Sequence, residues 1–244
     1  MVRGFYTLAS GMLTQNRILD ATSNNLANAE TYGFKADHVT SKTFGNMVID
    51  RIDSQKTPIG TVTLMNTADR AVTDYSQGTV EETGRDLDFA IHQDGFFAVQ
   101  GDDGTVYTRN GSFNIDSGGY LCLSGKGRVL GRGGQPIHLG TDQVQSDEMG
   151  NLFVGGRQAG SLGIYRFADN QALETVGEGM YRGNGAVLVQ NPQILWKRVE
   201  NSNTDLAKEM TGAISAQREL QSCSQAIKIY DQILDKAATE IGKV

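Results

Sequence analysis

The sequence predicts an α+β protein in which long N- and C-terminal helices, forming a coiled-coil-like terminal domain, flank a central all-β domain of antiparallel, sandwich or barrel-like type. Three observations predict it. An apolar or small residue recurs every seventh position through the last forty residues, a shorter series of sevens opens the chain, and most of the 30 glycines fall between Gly78 and Gly185. A seven-residue repeat marks a helix with a packing seam, and dense glycine marks turns between short strands. The elements divide the chain into residues 1–32 (first helix), 33–74 (an extended connector), 75–198 (the β domain) and 199–244 (last helix).

The first helix is predicted from about Val2 to Asn28, with Phe5, Met12, Leu19 and Leu26 spaced by sevens. Gln15, Asn16, Thr22 and Ser23 fill the other seam positions, so this helix is half apolar and marginal alone. Asn24, Asn25 and Asn28 cluster near its end, where their amides compete for backbone groups and suit capping and inter-chain hydrogen bonds. Gly33 fits the left-handed residue of the following turn.

In the connector, Phe44, Met47, Val48 and Ile49 fit a short helix or strand, and Val62, Thr63 and Leu64 a strand after Pro58 and Gly60. The β region opens at Tyr75. Asp94-Gly95 and Asp102-Asp103-Gly104 read as tight turns. Asn110-Gly111 is the strongest hairpin signal in the chain and predicts a type I′ turn with positive φ at both residues. Further strands are expected at Phe113–Ile115, Tyr120–Leu123, Val129-Leu130, Ile137–Leu139, Leu152–Val154, Leu162–Phe167 and Ala186–Val189.

The last helix carries Leu206, Ala213, Leu220, Ile227, Leu234 and Ile241 at one seam position, and Glu209, Ala216, Cys223, Tyr230 and Ala237 three places on. Ser202 and Asp205 have capping-box spacing, so the helix is expected to start near Asp205. At about 1.5 Å per residue it runs on the order of 55 Å. Its narrow stripe needs a partner.

The net charge of −6 and pI near 5.1, with no Lys/Arg stripe interleaved with aromatics, exclude an ordinary nucleic-acid surface. No apolar run is long enough to span a bilayer, and Thr7, Ser10, Thr14, Gln15 and Asn16 interrupt what a secretory signal would need. Cys122 and Cys223 read as reduced packing thiols. His38, His92 and His138 lie far apart with no metal-ligand spacing, so no cofactor or metal site is expected. Gly125-Lys126-Gly127-Arg128 lacks the residues and the helix of a phosphate loop, and no nucleophile elbow occurs.

Tyr6, Ala9-Ser10-Gly11-Met12, Gln15, Asp20, Asn24-Asn25-Leu26-Ala27-Asn28, Thr31 and Gly33-Phe34-Lys35 together resemble the N-terminal signature of the flagellar basal-body rod protein family, related to the hook protein. The likeness continues through Gly78-Thr79, Leu87-Asp88, Ala90-Ile91, Asp94-Gly95-Phe96-Phe97, Tyr107–Phe113 and Gly119-Tyr120-Leu121. It closes with Glu200, Ser202-Asn203, Glu209-Met210, Ile214, Gln217-Arg218, Asp231 and Leu234. Tyr32 stands where the family usually has a small residue or proline, and Leu220 where an aromatic is frequent.

The resemblance implies a self-assembling structural subunit and no enzyme activity. Its implied partners are further copies, other rod and hook subunits and the type III export apparatus, with no small-molecule substrate. Its implied place is the flagellar basal body, outside the cytoplasmic membrane, reached without signal-peptide cleavage. The assembly residues expected are Phe5, Met12, Leu19, Asn24, Asn25, Leu26, Asn28, Leu206, Met210, Ala213, Leu220, Ile227, Leu234 and Ile241. A hook-like axial protein is the alternative within the family, and a β-domain binding module with flanking helices the alternative of another class.

Overall fold

The computed structural model describes the backbone of residues 2–52, 56–101 and 103–241, and the side chains of 4–42, 70–101 and 103–239. Contacts divide the chain into two compact units. The terminal unit comprises Met1–Leu26, Asp37–Thr73 and Asp205–Val244, and the central unit Ala27–Ala36 and Asp74–Thr204.

In the terminal unit, helix α1 (Val2–Ala27) is followed by strands β1 (Asp37–Ile52) and β2 (Lys56–Thr73), and helix α2 spans Leu206–Ile241. Most of residues 37–52 and 56–73, expected as part of an extended connector, pair with each other. β1 and β2 form an antiparallel ribbon from Asp37↔Thr73 to Ile52↔Lys56, with register shifts at Thr40/Ser41 and Ile49/Asp50. The start of α2 is set by Asp205, whose Oδ1 accepts from Ala207 N at 3.0 Å and Lys208 N at 3.2 Å. Ser202 instead bonds Thr204, so the expected capping box is replaced by a single-residue cap.

The central unit is antiparallel β throughout its named strands. Its hub is the strand Phe96–Gly101 in a nine-stranded sheet, which pairs with Gly104–Thr108 on one side and with Gly127–Val129 and Ile164–Arg166 on the other. Side chains alternate across a strand, so this one serves two cores. Phe97 and Val99 enter a large cluster with Phe89, Phe113, Leu121, Leu152, Ile164 and Ile194, while Phe96 and Ala98 join Tyr107, Phe167 and Tyr181. Burial on both faces explains why Phe96-Phe97-Ala98-Val99 is an unbroken apolar run.

The turns at Asp103-Gly104 and at Asp116–Gly119 form as expected. Gly101 pairs with Gly104, and Asp116 Oδ1 accepts from Gly118 N and Tyr120 N. The Asn110-Gly111 hairpin does not form. Neither residue has positive φ, and the next pairing is an isolated bridge of Ser112 to Asp88. Gly111 is there because a Cβ would fall on the carbonyl oxygen of Phe89. A tertiary approach, not a turn, selects the glycine. Around 137–139 only isolated bridges occur, at Pro136 and His138. The strands Glu174–Gly177, Met180–Arg182, Ile194–Trp196 and Arg198–Glu200 are additions to the expected set.

Candidate assembly surfaces and a buried charge cluster

The two helices of the terminal unit pack antiparallel. Gly4 lies against Tyr230, Gly11 faces Cys223 Sγ, and Gln15 Nε2 donates to a Glu219 carboxylate oxygen. Each step along α1 is matched by an equal step back along α2. Tyr230 and Cys223 belong to the heptad series, and the glycines opposite them are themselves seven apart, so small residues on α1 admit the larger residues of α2. A Cβ on Gly4 would lie 2.8 Å from the Tyr230 hydroxyl.

This places the expected assembly residues in three groups. Met12, Leu19, Leu26, Ala213, Leu220 and Ile227 are half-buried within the single chain. Phe5, Leu206, Met210 and Leu234 are exposed, Met210 by 52 %. Asn24 is also exposed, and the side chain of Ile241 lies outside the described residues. Asn25 is fully buried and bonds the backbone of Asp37 twice, accepting from its N–H and donating to its carbonyl, both at 2.9 Å. Asn28, half-buried in the central unit, accepts from the Thr31 hydroxyl at 3.2 Å.

The rest of α1's buried face is also polar. Ser10 and Thr14 are buried with hydroxyls returned to the helix carbonyls of Thr7 and Ser10. Large apolar side chains point the other way. Leu13 is 66 % exposed on α1, and Ile214, Ile229 and Ile233 are more than half exposed on α2. Leu206, Met210 and Ile214 are four apart, as are Ile229 and Ile233, so each set forms one helical stripe.

Inside the central unit sits a feature the sequence did not announce. Glu200, fully buried, accepts from Lys35 Nζ and Gly78 N on one carboxylate oxygen and from Arg109 Nη1, at 3.1 Å, on the other. Lys35 Nζ also donates to the Ser76 carbonyl at 2.6 Å, and the Arg109 guanidinium stands over the Phe96 ring. Burial pushes the Lys35 ammonium below its ordinary value, with Glu200 opposing that push. Gly33, at φ +69, lies so close that a Cβ would strike the backbone of Arg109, and its N–H donates to the Glu200 carbonyl at 2.7 Å. Nearby, Asn203 accepts from Ala36 N and donates to the Asp74 carbonyl, each at 2.8 Å. Residues from four distant stretches are thus tied by side-chain and backbone bonds. Lys35, Arg109 and Glu200 each stand in a different stretch of the sequence, and no local pattern joins them.

Among the described residues no group of His, Cys, Asp and Glu is placed to hold a metal ion, and no helix is long and apolar enough to cross a membrane. Both cysteines are free thiols. The groove beside Arg85, lined also by Asp86, Asn114, Thr141 and Asp142, is wide and open. Arg85 is engaged there, by Asp88, Ser112, the Phe113 carbonyl and Asn114. It has no converging set of catalytic groups.

Three family models match successive parts of the chain. Residues 5–35 match the family described as flagella basal body rod protein, residues 90–152 the flagellar hook protein FlgE/F/G D1 domain, and residues 197–240 the flagellar basal body rod FlgEFG protein C-terminal region. The chain is 33 % identical to the flagellar basal-body rod protein FlgG of Bacillus subtilis, over 97 % of this chain and 98 % of that one. The chain belongs to the flagellar basal-body rod protein family. It is 30 % identical to the rod protein FlgF of Caulobacter vibrioides and 28 % identical to the hook-basal body complex protein FlhO of Bacillus subtilis, each over the full length of both chains. The match is to the family as a whole rather than to one named member. The buried cluster draws on all parts of it, since Lys35, Arg109 and Glu200 fall in or beside the three matched regions.

Proposed function

We propose that this rod-family protein is a structural subunit of the flagellar axial rod, which self-assembles with like subunits into a helical tube that transmits torque from motor to hook and encloses the export channel. The observation that carries this reading is the terminal unit. Its two helices leave large apolar side chains uncovered on both, which a lone molecule has no reason to keep. Like interfaces repeated head to tail without closing generate a filament.

In this reading the half-buried seam residues Met12, Leu19, Ala213, Leu220 and Ile227 hold the helix pair, and Phe5, Leu206, Met210 and Leu234 meet neighbouring subunits. Other rod and hook subunits are the further partners. The chain reaches the basal body through the type III export apparatus without cleavage, and catalyses nothing. A tagged chain, followed into purified basal bodies by cryo-EM, is expected at one axial level between the motor and the hook. Its absence from that structure, or normal flagella in a strain lacking the chain, overturns the proposal.

A further inference from the structure

The chain contains two Asn-Gly pairs whose asparagines are described, and the fold treats them oppositely. Asn110 and Gly111 are held on all sides. Asn110 Oδ1 accepts from Ser112 N at 2.9 Å, Asn110 N donates to the Thr108 hydroxyl, and the Gly111 carbonyl accepts from both Phe89 N and Phe113 N. Gly111 also lies so close to Phe89 that a Cβ on it would fall on that residue's carbonyl oxygen. Asn184 and Gly185 are exposed, in the loop between Met180–Arg182 and Val187–Leu188. Among the described residues Asn184 has no hydrogen-bond partner, and Gly185, at φ +79, has nothing within 4 Å of where a Cβ would stand.

We infer that Asn184 is a site of spontaneous covalent modification, converting to aspartate and isoaspartate in the folded protein while Asn110 is protected. The backbone nitrogen of Gly185, after losing its proton, attacks the Asn184 side-chain carbonyl carbon. A C–N bond forms, and collapse of the tetrahedral adduct breaks the bond to the side-chain nitrogen, which leaves as ammonia. Water then opens the cyclic imide at one carbonyl or the other. The attack needs the following residue's nitrogen to swing onto the side chain, and glycine, lacking a Cβ, opposes that rotation least. An exposed loop without internal bonds supplies the freedom. At Asn110 the same geometry is reached only by breaking the bonds to Ser112, Phe89 and Phe113, that is, by local opening of the central unit. The product places a new negative charge, and in the isoaspartate an extra backbone methylene, between the two strands that the loop joins.

The test is to hold the full folded chain at mildly alkaline pH, digest it, and follow the peptides carrying Asn184 and Asn110 by mass and by isoaspartate content. A denatured sample runs in parallel. The expected result is modification at Asn184 at least about tenfold faster than at Asn110 in the folded chain, with the two converging once denatured. Asn184→Gln should bring the isoaspartate of the peptide carrying residue 184 to background in the folded chain. Equal rates in the folded chain, or an Asn184 that stays amide while the denatured sample reacts, overturns the inference.

Discussion

The two units are built from opposite uses of side-chain burial. In the central unit the apolar residues are inside: Phe89, Phe97, Phe113, Leu121, Leu152 and Ile164 are fully covered, and the charges admitted among them are paired. In the terminal unit the buried positions of α1 are Ser10, Thr14, Thr22 and Asn25, while Leu13, Met210 and Ile214 stand in water. Hydrophobic burial is the main favourable term in folding, so the first unit holds itself together and the second is left with apolar surface still to bury. On the function proposed above, the difference separates a part that is complete as a monomer from a part that is finished by association.

The largest effect on the central unit is expected from Glu200→Ala. It leaves Lys35 and Arg109 buried without their shared carboxylate, and stranding a buried charge costs about 3–5 kcal/mol. The chain has a single tryptophan, Trp196, whose indole N–H donates to the Asp86 carbonyl in the central unit. Its fluorescence therefore reports that unit, while far-UV circular dichroism follows the helices of the other. The Trp196 transition should fall to much milder conditions. An unchanged transition would remove the cluster from the account of stability.

The same cluster predicts a pH dependence. Burial lowers the Lys35 ammonium from 10.5, so the unfolded chain holds this proton more tightly than the folded one. Stability of the central unit should then rise with pH between that lowered value and 10.5, and the gain should be missing below it. Tyr107 acts in the other direction, because burial raises its phenol from 10.0 and the gain is eroded above that pH. Lys35→Met should flatten the rise in a series of denaturant melts followed at Trp196. A rise that survives the substitution assigns it to another group.

Next in size is Gly111→Ala, expected to cost about 1–3 kcal/mol by overpacking against the Phe89 carbonyl. Its value lies in what it distinguishes. A type I′ turn residue replaced by alanine suffers only from positive φ, which this position does not have. The structure therefore predicts that Asn110→Ala, which removes the Ser112 bond but adds no atom near Phe89, is the milder change. The reverse order in thermal melts would restore the hairpin reading.

What was legible in the sequence follows the range of the interaction. The helices were legible because a heptad and a cap are both local: the seam through Cys223 and Tyr230 follows from spacing, and the start of α2 at Leu206 from the Asp205 carboxylate just ahead of it. The hub strand was marked in the sequence by the turn at Asp94-Gly95 just before it, and its unbroken apolar run Phe96–Val99 fits burial on both faces. The ion cluster was not, since Lys35 and Glu200 are separated by 165 residues and nothing in either neighbourhood names the other. Gly111 shows the converse failure, a strong local signal overridden by a distant carbonyl. The partition of the expected assembly residues was hidden for a related reason. A heptad says that a stripe will be covered, not whether its own chain or another molecule covers it.

That ambiguity sets the last prediction, the smallest for the monomer. Met210 and Ile214 are both more than half exposed on α2, four residues apart. Replacing both by serine removes apolar surface that the single chain does not bury, and exposed substitutions of this kind change stability by within about 0.5 kcal/mol. Both the Trp196 and the helical transitions should be nearly unmoved. Ile227 is half-buried on the α2 seam, so Ile227→Ser should instead lower the helical transition while sparing Trp196. If the outer stripe meets neighbouring subunits, the double variant is made and exported yet fails to enter the rod, and cells carrying it do not swim. If the stripe is idle surface, those cells swim normally. A helical transition that falls in the double variant as far as in Ile227→Ser would mean that the stripe is covered within the chain itself. The terminal unit, like the central one, would then be complete as a monomer.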